Sequence, residues 1–517
     1  MTETVPQVEI RPGFRTIGAC EIEIPTPVCL VIFGAYGDLT RRKLMPSLYR
    51  LHKHKVFPEN FFVFGVDRVG VGHEQYIETM RDAVQRGAPA DYDPAEWAGF
   101  ASKLYYESFD FDVPDAYVTH MTEKLLPLEK RYQTGGNRIF YLAIPPTVFE
   151  TVLVNLDRAA LSKLEASGYP YVIIEKPFGR DLESARRLNR TLEACFEEKQ
   201  IFRIDHYIAK ETAQSMLMFR FANSIFEPLW NRNYVNHIQM TVAETLGVEH
   251  RAAYYEQAGV IRDMFQSHLF QLLAVTAMEP PVAFEAEPVR DEKNKVFHSI
   301  TPFPLDRLNE FVAVGQYGKG EVGGRPVVAY REEPGVSPTS IVPTYAAMKV
   351  FVDNWRWNGV PFYLRCGKRL KSHKTEIAIH FKTVPHLMFS GLLEERIEPN
   401  ILVFRVQPEE SIGLTFETKK PGTRFCLNPE PVVMRFAYES PGLDAYEWVL
   451  IDCMLGDQML FLREEGVEST WALLTPLIEK LEATTAAGVF PNYAAGSEGP
   501  EEAKQLIEKG ACTWMPL

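Results

Sequence analysis

Between Val28 and Asp205 the chain repeats one unit, a short apolar run closed by turn residues and followed by a helical pattern. VCLVIFG (28–34) leads into a helix marked by Leu44, Leu48 and Leu51. FFVFGVD (61–67), RIFYLAIPP (138–146) and YVIIEKPFG (171–179) repeat the theme. Strands that read as continuous apolar runs are buried on both faces, and helical crossovers between them make them run parallel. The repeat predicts a doubly wound parallel sheet of Rossmann type, an α/β domain spanning residues 27–205.

The pattern changes after residue 206. Long helices come first, and then HIQMTVAETLGV, FVAVGQYG, TEIAIHF, ILVFRVQP and VVMRFAY alternate apolar and polar positions. Period-2 alternation with one polar face predicts a large, mostly antiparallel sheet backed by helices, an α+β domain over residues 206–517. Residues 1–26, with Pro6, Pro12 and Pro25, read as an N-terminal arm. The acidic, Gly-containing stretch after Ala483 reads as irregular surface chain.

A length of 517 residues exceeds the usual span of one core and agrees with two domains of roughly 200 and 300 residues. The net charge of -13 opposes nucleic-acid backbones and anionic membranes, which need a broad basic face. An anionic small molecule stays compatible if Lys and Arg converge in one cleft. Cys20, Cys29, Cys195, Cys366, Cys426, Cys453 and Cys512 are odd in number, scattered and without a C-x-x-C pair, which points to thiols in a reducing compartment rather than disulfides or a metal. MTETVPQVEIRPGF lacks a basic and apolar leader, and no apolar run approaches a bilayer span. The expectation is a cytoplasmic protein with no nucleic-acid or membrane partner.

FGAYGDLTRRKL (33–44) follows the first strand and opens a helix. Gly34 and Gly37 allow close backbone approach to a pyrophosphate. Ala35, Tyr36, Asp38 and Leu39 complete the turn, and the helix N-terminus faces the charge. Ile32 stands where G-x-G-x-x-G has its first glycine, so the turn alone also reads as a plain strand-to-helix connection. FGVDRVG places Asp67 and Arg68 at the second strand's end. A carboxylate there accepts from ribose hydroxyls and favours NAD, whereas a guanidinium grips the 2′-phosphate of NADP, and the residues leave that choice open.

In YVIIEKPFG the proline fixes a turn at the ligand-binding edge of the sheet and aims Lys176 there; a structural pair with Glu175 is the alternative. RIDHYIAKE (203–211) delivers its residues to the same edge. His206, Tyr207 and Lys210 can donate to a phosphate, while Asp205 would repel one and suits orienting an imidazole. GVIRDMFQSHLFQLLAVTAME (259–279) reads as an amphipathic helix whose core side is Ile261, Met264, Phe265, Leu269, Leu272 and Leu273, with His268 at the stripe's edge. A histidine so placed is a core residue as readily as a base. At about 100° per residue Asp263 lies roughly 140° from His268, so both border one pocket without touching. LRCGKRLKSHKTEI (364–377) gathers Lys368, Arg369, Lys371 and Lys374, a solvated basic loop or a source of charge for a phosphorylated substrate.

Taken in order, FGAYGDLTRRKL, NRIFYLAIPPTVFE, EKPFGRDL, RIDHYIAKE, RFANSIFEPLWNR, GVIRDMFQSH, AMEPP, VRDEK, FYLRCGKRL, RVQPEE and TKKPG resemble the glucose-6-phosphate dehydrogenase family from about Val28 onward. The resemblance implies oxidation of glucose 6-phosphate at carbon 1 to the lactone, with hydride passing to a nicotinamide. It implies His268 as general base and Asp205 as the carboxylate that orients it. His206, Tyr207 and Lys210 match the phosphate-binding set; Lys176, Glu244 and Asp263 match groups that hold sugar hydroxyls, with Lys176 also near the nicotinamide as a cofactor-binding residue; Lys368 matches a further substrate lysine. Arg68 aligns with the family's 2′-phosphate arginine, which favours NADP, with NAD as the alternative. The family also implies a homodimer or homotetramer through the large sheet, and some relatives carry a second, structural nucleotide. Three positions depart from the pattern: Ala209 for glycine, His373 for Arg or Lys at a substrate position, and Phe149 for a tyrosine. A dinucleotide sensor without chemistry is the rival reading, but it needs no base.

Overall fold

The computed structural model describes residues 14–17, 20–163, 168–205, 211–386, 397–419, 422, 427–435 and 443–517. Strands β1 (Val28–Phe33), β2 (Phe61–Asp67), β3 (Leu104–Ser108), β4 (Arg138–Leu142), β5 (Pro170–Ile174) and β6 (Ile201–Arg203) form one sheet in the order β3-β2-β1-β4-β5-β6. Every neighbouring pair is parallel. Because side chains alternate along a strand, Leu30, Ile32, Val63, Ile139 and Ile173 face one core, and Cys29, Val31, Phe64, Phe140 and Ile174 the other. Strand order reverses between β1 and β4, which opens a crevice beyond the carboxyl ends of the strands. The helix Ala445–Leu455 adds Val449, Leu450 and Cys453 to the first of those cores, so the late chain returns to the early sheet.

The second sheet holds β7 (Val235–Ala243), β8 (Val312–Gly315), β9 (Tyr345–Phe351), β10 (Pro361–Gly367), β11 (Lys374–Phe381), β12 (Ile401–Gln407), β13 (Ser411–Lys419) and β14 (Leu427–Arg435), in the order β8-β9-β10-β7-β11-β12-β13-β14. Only β7 and β10 run parallel among these neighbours. Ile238, Met240, Leu364, Ile377 and Phe404 turn to the helices that back the sheet. The opposite face carries His237, Gln239, Arg365 and His380, and the C-terminal residues lie across it. The Arg365 guanidinium sits 4.5 Å from the Trp514 ring centre and donates to Met515 O at 2.5 Å, and Lys374 Nζ donates to Pro516 O at 2.7 Å.

One expectation needs correction. The stretch after Ala483 is not irregular throughout: the helix Glu501–Glu508 buries Ala503, Leu506 and Ile507, a short amphipathic pattern hidden among acidic residues. Within the N-terminal arm, Phe14–Ile17 and Cys20–Glu23 pair as an antiparallel ribbon. Among the described residues no helix is long and apolar enough to cross a membrane.

The segment read as an amphipathic helix is buried on all sides from Asp263 to Met278. Gly259, with φ +63°, separates it from the helix before it, and residues Ile261–Leu269 are π-helical before Phe270–Ala277 continues as α-helix. Its C-terminal carbonyls are buried and each needs a donor. Arg220, fully buried, donates to Val275 O, Thr276 O and Met278 O at 3.0, 3.1 and 2.9 Å. Trp230 Nε1 donates to Thr276 O and Trp357 Nε1 to Ala277 O, both at 2.8 Å.

Across β7 and β11, His237 and His380 stack with ring centres 4.1 Å apart. Burial lowers the His237 imidazole to about 4, and burial followed by the neighbouring His237 lowers His380 to about 3. Both rings are neutral in the fold, whereas the unfolded chain takes up protons below about pH 6.5. Stability is therefore unaffected by this pair above that pH and falls as pH drops from about 6.5 toward 4. Urea midpoints measured across this window should decline in the natural protein and decline less steeply in His380→Phe.

Candidate active site

Three chain segments converge beyond the carboxyl edge of the parallel sheet. Asp205 lies two residues past β6, Lys176 two residues past β5, and Asp263 and His268 on the π-helical turns. His268 Nδ1 is 2.6 Å from Asp205 Oδ1, and both side chains are almost fully buried. Lys176 Nζ lies 2.6 Å from His268 Nε2 and donates to Asp263 Oδ1 at 3.1 Å and Asp263 O at 2.9 Å. Glu175, the alternative partner of Lys176, instead accepts from the Tyr141 hydroxyl at 2.5 Å.

Asp263 and His268 border one pocket, as expected, but the angle of about 140° between them does not hold. It assumed α-helical periodicity, but π-helical hydrogen bonds run i→i+5, so residues five apart share a face and one ammonium reaches both.

The hydrogen-bond chemistry fixes the imidazole's tautomer. An ionised carboxylate only accepts and an ammonium only donates, so Nδ1 carries the proton and Nε2 presents a lone pair. Burial pushes this imidazole below its ordinary value; Asp205 pulls the other way and Lys176 adds to the lowering. Burial alone would raise the Asp263 carboxyl, but Lys176, then Lys368 and His268, hold it well below the usual carboxylate range. The cluster thus pairs a neutral base with a charged lysine and carboxylate.

A second patch joins it. Glu244, just past β7, accepts from Lys368 Nζ at 2.5 Å, and that ammonium lies 5.3 Å from the Tyr255 ring centre. The Tyr254 hydroxyl donates to Asp263 Oδ1 at 3.0 Å. Sequence reasoning missed both tyrosines, because aromatic residues on a helix read as core; their spacing, one helix before Asp263, was the available signal. His373 is exposed on the turn before β11, and no described hydrogen bond or ion pair joins it to this cluster. His206, Tyr207, Ala209 and Lys210 lie outside the described residues.

At the crevice, Gly34 has φ +83°, and a Cβ there would stand 2.3 Å from Ala143 O. The amides of Gly34 and Ala35 donate to Val66 O, that of Tyr36 to Asp67 Oδ2 and that of Gly37 to Gly34 O. These four shape the turn, and the helix then starts at Asp38 and Leu39, where the first amides have no partner within the helix. Asp67 also accepts from the amides of Arg68 and Val69 at 2.7 and 3.2 Å, so its carboxylate braces the turns. Arg68 packs over Phe111, 5.1 Å from the ring centre, and pairs with the exposed Asp110 and Asp112 at 3.4 and 3.0 Å. Phe149 is buried as core, without a polar role.

Residues 31–215 match the family description "Glucose-6-phosphate dehydrogenase, NAD binding domain" and residues 217–515 match "Glucose-6-phosphate dehydrogenase, C-terminal domain". The chain belongs to the glucose-6-phosphate dehydrogenase family. It is 42% identical over 513 residues to the glucose-6-phosphate 1-dehydrogenase of Chlamydia pneumoniae, covering 97% of this chain and 99% of that one. The enzyme of the same name from Bacillus subtilis (strain 168) is 40% identical over 492 residues, covering 94% and 98%. Among solved structures, a glucose-6-phosphate dehydrogenase in complex with its substrate glucose-6-phosphate superposes with a TM-score of 0.86 at 32% identity, covering 95% of this chain and 99% of that one. As a glucose-6-phosphate dehydrogenase family member, the chain carries an N-terminal dinucleotide-binding domain.

Gly34→Ala tests the turn. A methyl group at positive φ, pressed against a backbone carbonyl, forces the turn to move, so dinucleotide affinity measured by calorimetry should fall at least about tenfold while the far-UV spectrum stays native.

Proposed function

We propose that this chain oxidises D-glucose 6-phosphate at carbon 1 to 6-phospho-D-glucono-1,5-lactone and passes the hydride to NADP, with NAD as the alternative acceptor. The observation that carries this reading is the lone pair of His268 Nε2, held in the crevice by Asp205 behind it and covered by the Lys176 ammonium. Nε2 takes the proton of the carbon-1 hydroxyl, Asp205 stabilises the resulting imidazolium, and the electrons left on oxygen form the lactone carbonyl as hydride departs. The substrate hydroxyl displaces Lys176 from Nε2, and the ammonium then donates to sugar oxygens beside Asp263. Glu244 and Lys368 hold further hydroxyls. His206, Tyr207 and Lys210 grip the remote phosphate, whose binding orients the reacting carbon. The bound nicotinamide supplies the hydride acceptor.

The nucleotide is carried by residues 27–205 and the sugar phosphate by 206–517. Two features support NADP: the Asp67 carboxylate is engaged by three backbone amides, and Arg68, packed over Phe111, pairs with exposed carboxylates that a phosphate dianion can replace. The helix amides from Asp38 onward suit the pyrophosphate. The exposed apolar residues Phe416, Val432, Val433 and Met434 on β13 and β14 support a homodimer or homotetramer through the large sheet. Buried thiols at Cys29, Cys195, Cys366 and Cys453 agree with a cytoplasmic setting.

Purified protein with glucose 6-phosphate should generate the absorbance of reduced nicotinamide, and silence with both coenzymes would reject the assignment. His268→Asn should lower kcat by about 10²- to 10⁴-fold while the KM for the sugar stays within a few-fold. The base acts neutral and its proton affinity is lowered, so the acid limb of kcat/KM should fall below about pH 6.5. Arg68→Ala should raise the KM for NADP about tenfold or more and leave that for NAD nearly unchanged.

A further inference from the structure

Tyr254 and Asp263 are nine residues apart, and on one continuous α-helix they would point about 180° apart and stand roughly 13 Å apart along the axis. They meet because the helix breaks between them. Gly259 adopts φ +63° and ψ 174°, a conformation open to glycine almost alone, and sets the residues before it at a new angle to the π-helical turns. Backbone held in so sparsely populated a region marks a place where the surrounding geometry matters. What this break brings about is a hydrogen bond: the Tyr254 hydroxyl donates to Asp263 Oδ1 at 3.0 Å. Burial, followed by the charge of Asp263, raises this phenol above its ordinary value, with Arg251 opposing, so the hydroxyl keeps its proton and meets the carboxylate as a donor.

Asp263 Oδ1 thus has two donors, Tyr254 and Lys176, while no hydrogen bond among the described residues reaches Oδ2. That second oxygen is not sealed off, since the side chain keeps 6% of its surface open. The two donors to Oδ1 are not equivalent. Lys176 has three protons, and in the resting cluster they point to Asp263 Oδ1, Asp263 O and His268 Nε2, so any sugar oxygen it holds must take one of them away. Tyr254 has one proton, committed to Oδ1, and the hydride transfer makes no call on it. The terminal torsion of an aspartate is broad, so a carboxylate is aimed by its hydrogen bonds more than by its rotamer. We propose that Tyr254 is a positioning residue for sugar recognition: its hydroxyl pins Asp263 by Oδ1, so that Oδ2 stands ready to accept from one ring hydroxyl of the substrate while Lys176 changes partners. This rests on the reading of the chain as a glucose 6-phosphate oxidising enzyme in which Asp263 holds the sugar.

The test compares the full-length natural protein with Tyr254→Phe, which keeps the ring and removes only the donor. With glucose 6-phosphate and NADP, loss of a hydrogen bond to a charged group should raise the KM for the sugar about tenfold. The contact is made in the ground state and the transition state alike, so kcat should stay within about threefold. The KM for NADP and the acid limb of kcat/KM should not move, because neither the crevice turn nor His268 is touched. Inhibition constants are then measured for analogues of glucose 6-phosphate that each lack one ring hydroxyl. The gap between the two proteins should vanish for the analogue missing the hydroxyl that Oδ2 accepts and persist for the rest. A folded Tyr254→Phe with the natural KM overturns the proposal, and so does a gap of equal size with every analogue, since a loss felt by all of them is not the aiming of one oxygen. If the variant does not fold, a crystal structure of the natural protein with glucose 6-phosphate decides. Asp263 Oδ2 within about 3.2 Å of a sugar hydroxyl, with Tyr254 still on Oδ1, supports the role, and any other arrangement of that carboxylate overturns it. A natural protein that reduces neither coenzyme removes the underlying reading and this proposal together, whereas normal turnover beside an unaltered Tyr254→Phe removes only the second.

Discussion

A helix with no face on water must draw partners for its polar groups from the rest of the protein, and residues 263–278 impose that condition on the whole molecule. At one end, buried carbonyls would each cost about 1–3 kcal/mol if left unmatched. Arg220, Trp230 and Trp357 remove that cost from three different parts of the chain. Arg220 is itself an expensive group to bury, and burial brings its guanidinium down to about 10 against the pull of Glu227. Three carbonyls and the Glu227 carboxylate receive its protons, so the desolvated cation is compensated rather than stranded. Midway along, Gln266 donates to Thr470 of the helix Glu464–Thr484.

The other end of the same helix obeys the same rule with charged partners. Asp263 and His268 cannot be hydrated by bulk water, so Lys176 and Asp205 complete them. Low local dielectric strengthens these pairs and makes each group's charge depend on the next. The π-helical turns give this arrangement its geometry, since a regular α-helix would point Asp263 and His268 in different directions. Widening the helix sets both before one lysine, and the strand ends β5 and β6 supply that lysine and the aspartate.

Much of this was legible in the chain, for physical reasons. The parallel sheet announced itself because strands buried on both faces read as unbroken apolar runs, and the second sheet because one polar face leaves alternation. Asp205, His268 and Lys176 were legible as types suited to their places. The meeting of Asp205 with His268 was implied by the family resemblance, whereas the placing of Asp263 and His268 before one lysine was not, because the i→i+5 pattern has no residue signature and the usual periodicity gives the wrong angle. The burial of residues 263–278 was hidden by Gln266, Ser267 and Gln271, polar residues that read as a wet face but are met by neighbours or enclosed.

Arg203, two residues before Asp205, also joins the late chain, because its carbonyl accepts from the amide of Leu462 while Gln458 bonds to the carbonyls of Glu198 and Ile201. The strand that leads to Asp205 is thus finished by residues about half the chain away. A change confined to residues 458–462 therefore reaches the end of β6, two residues from Asp205, without touching the crevice itself.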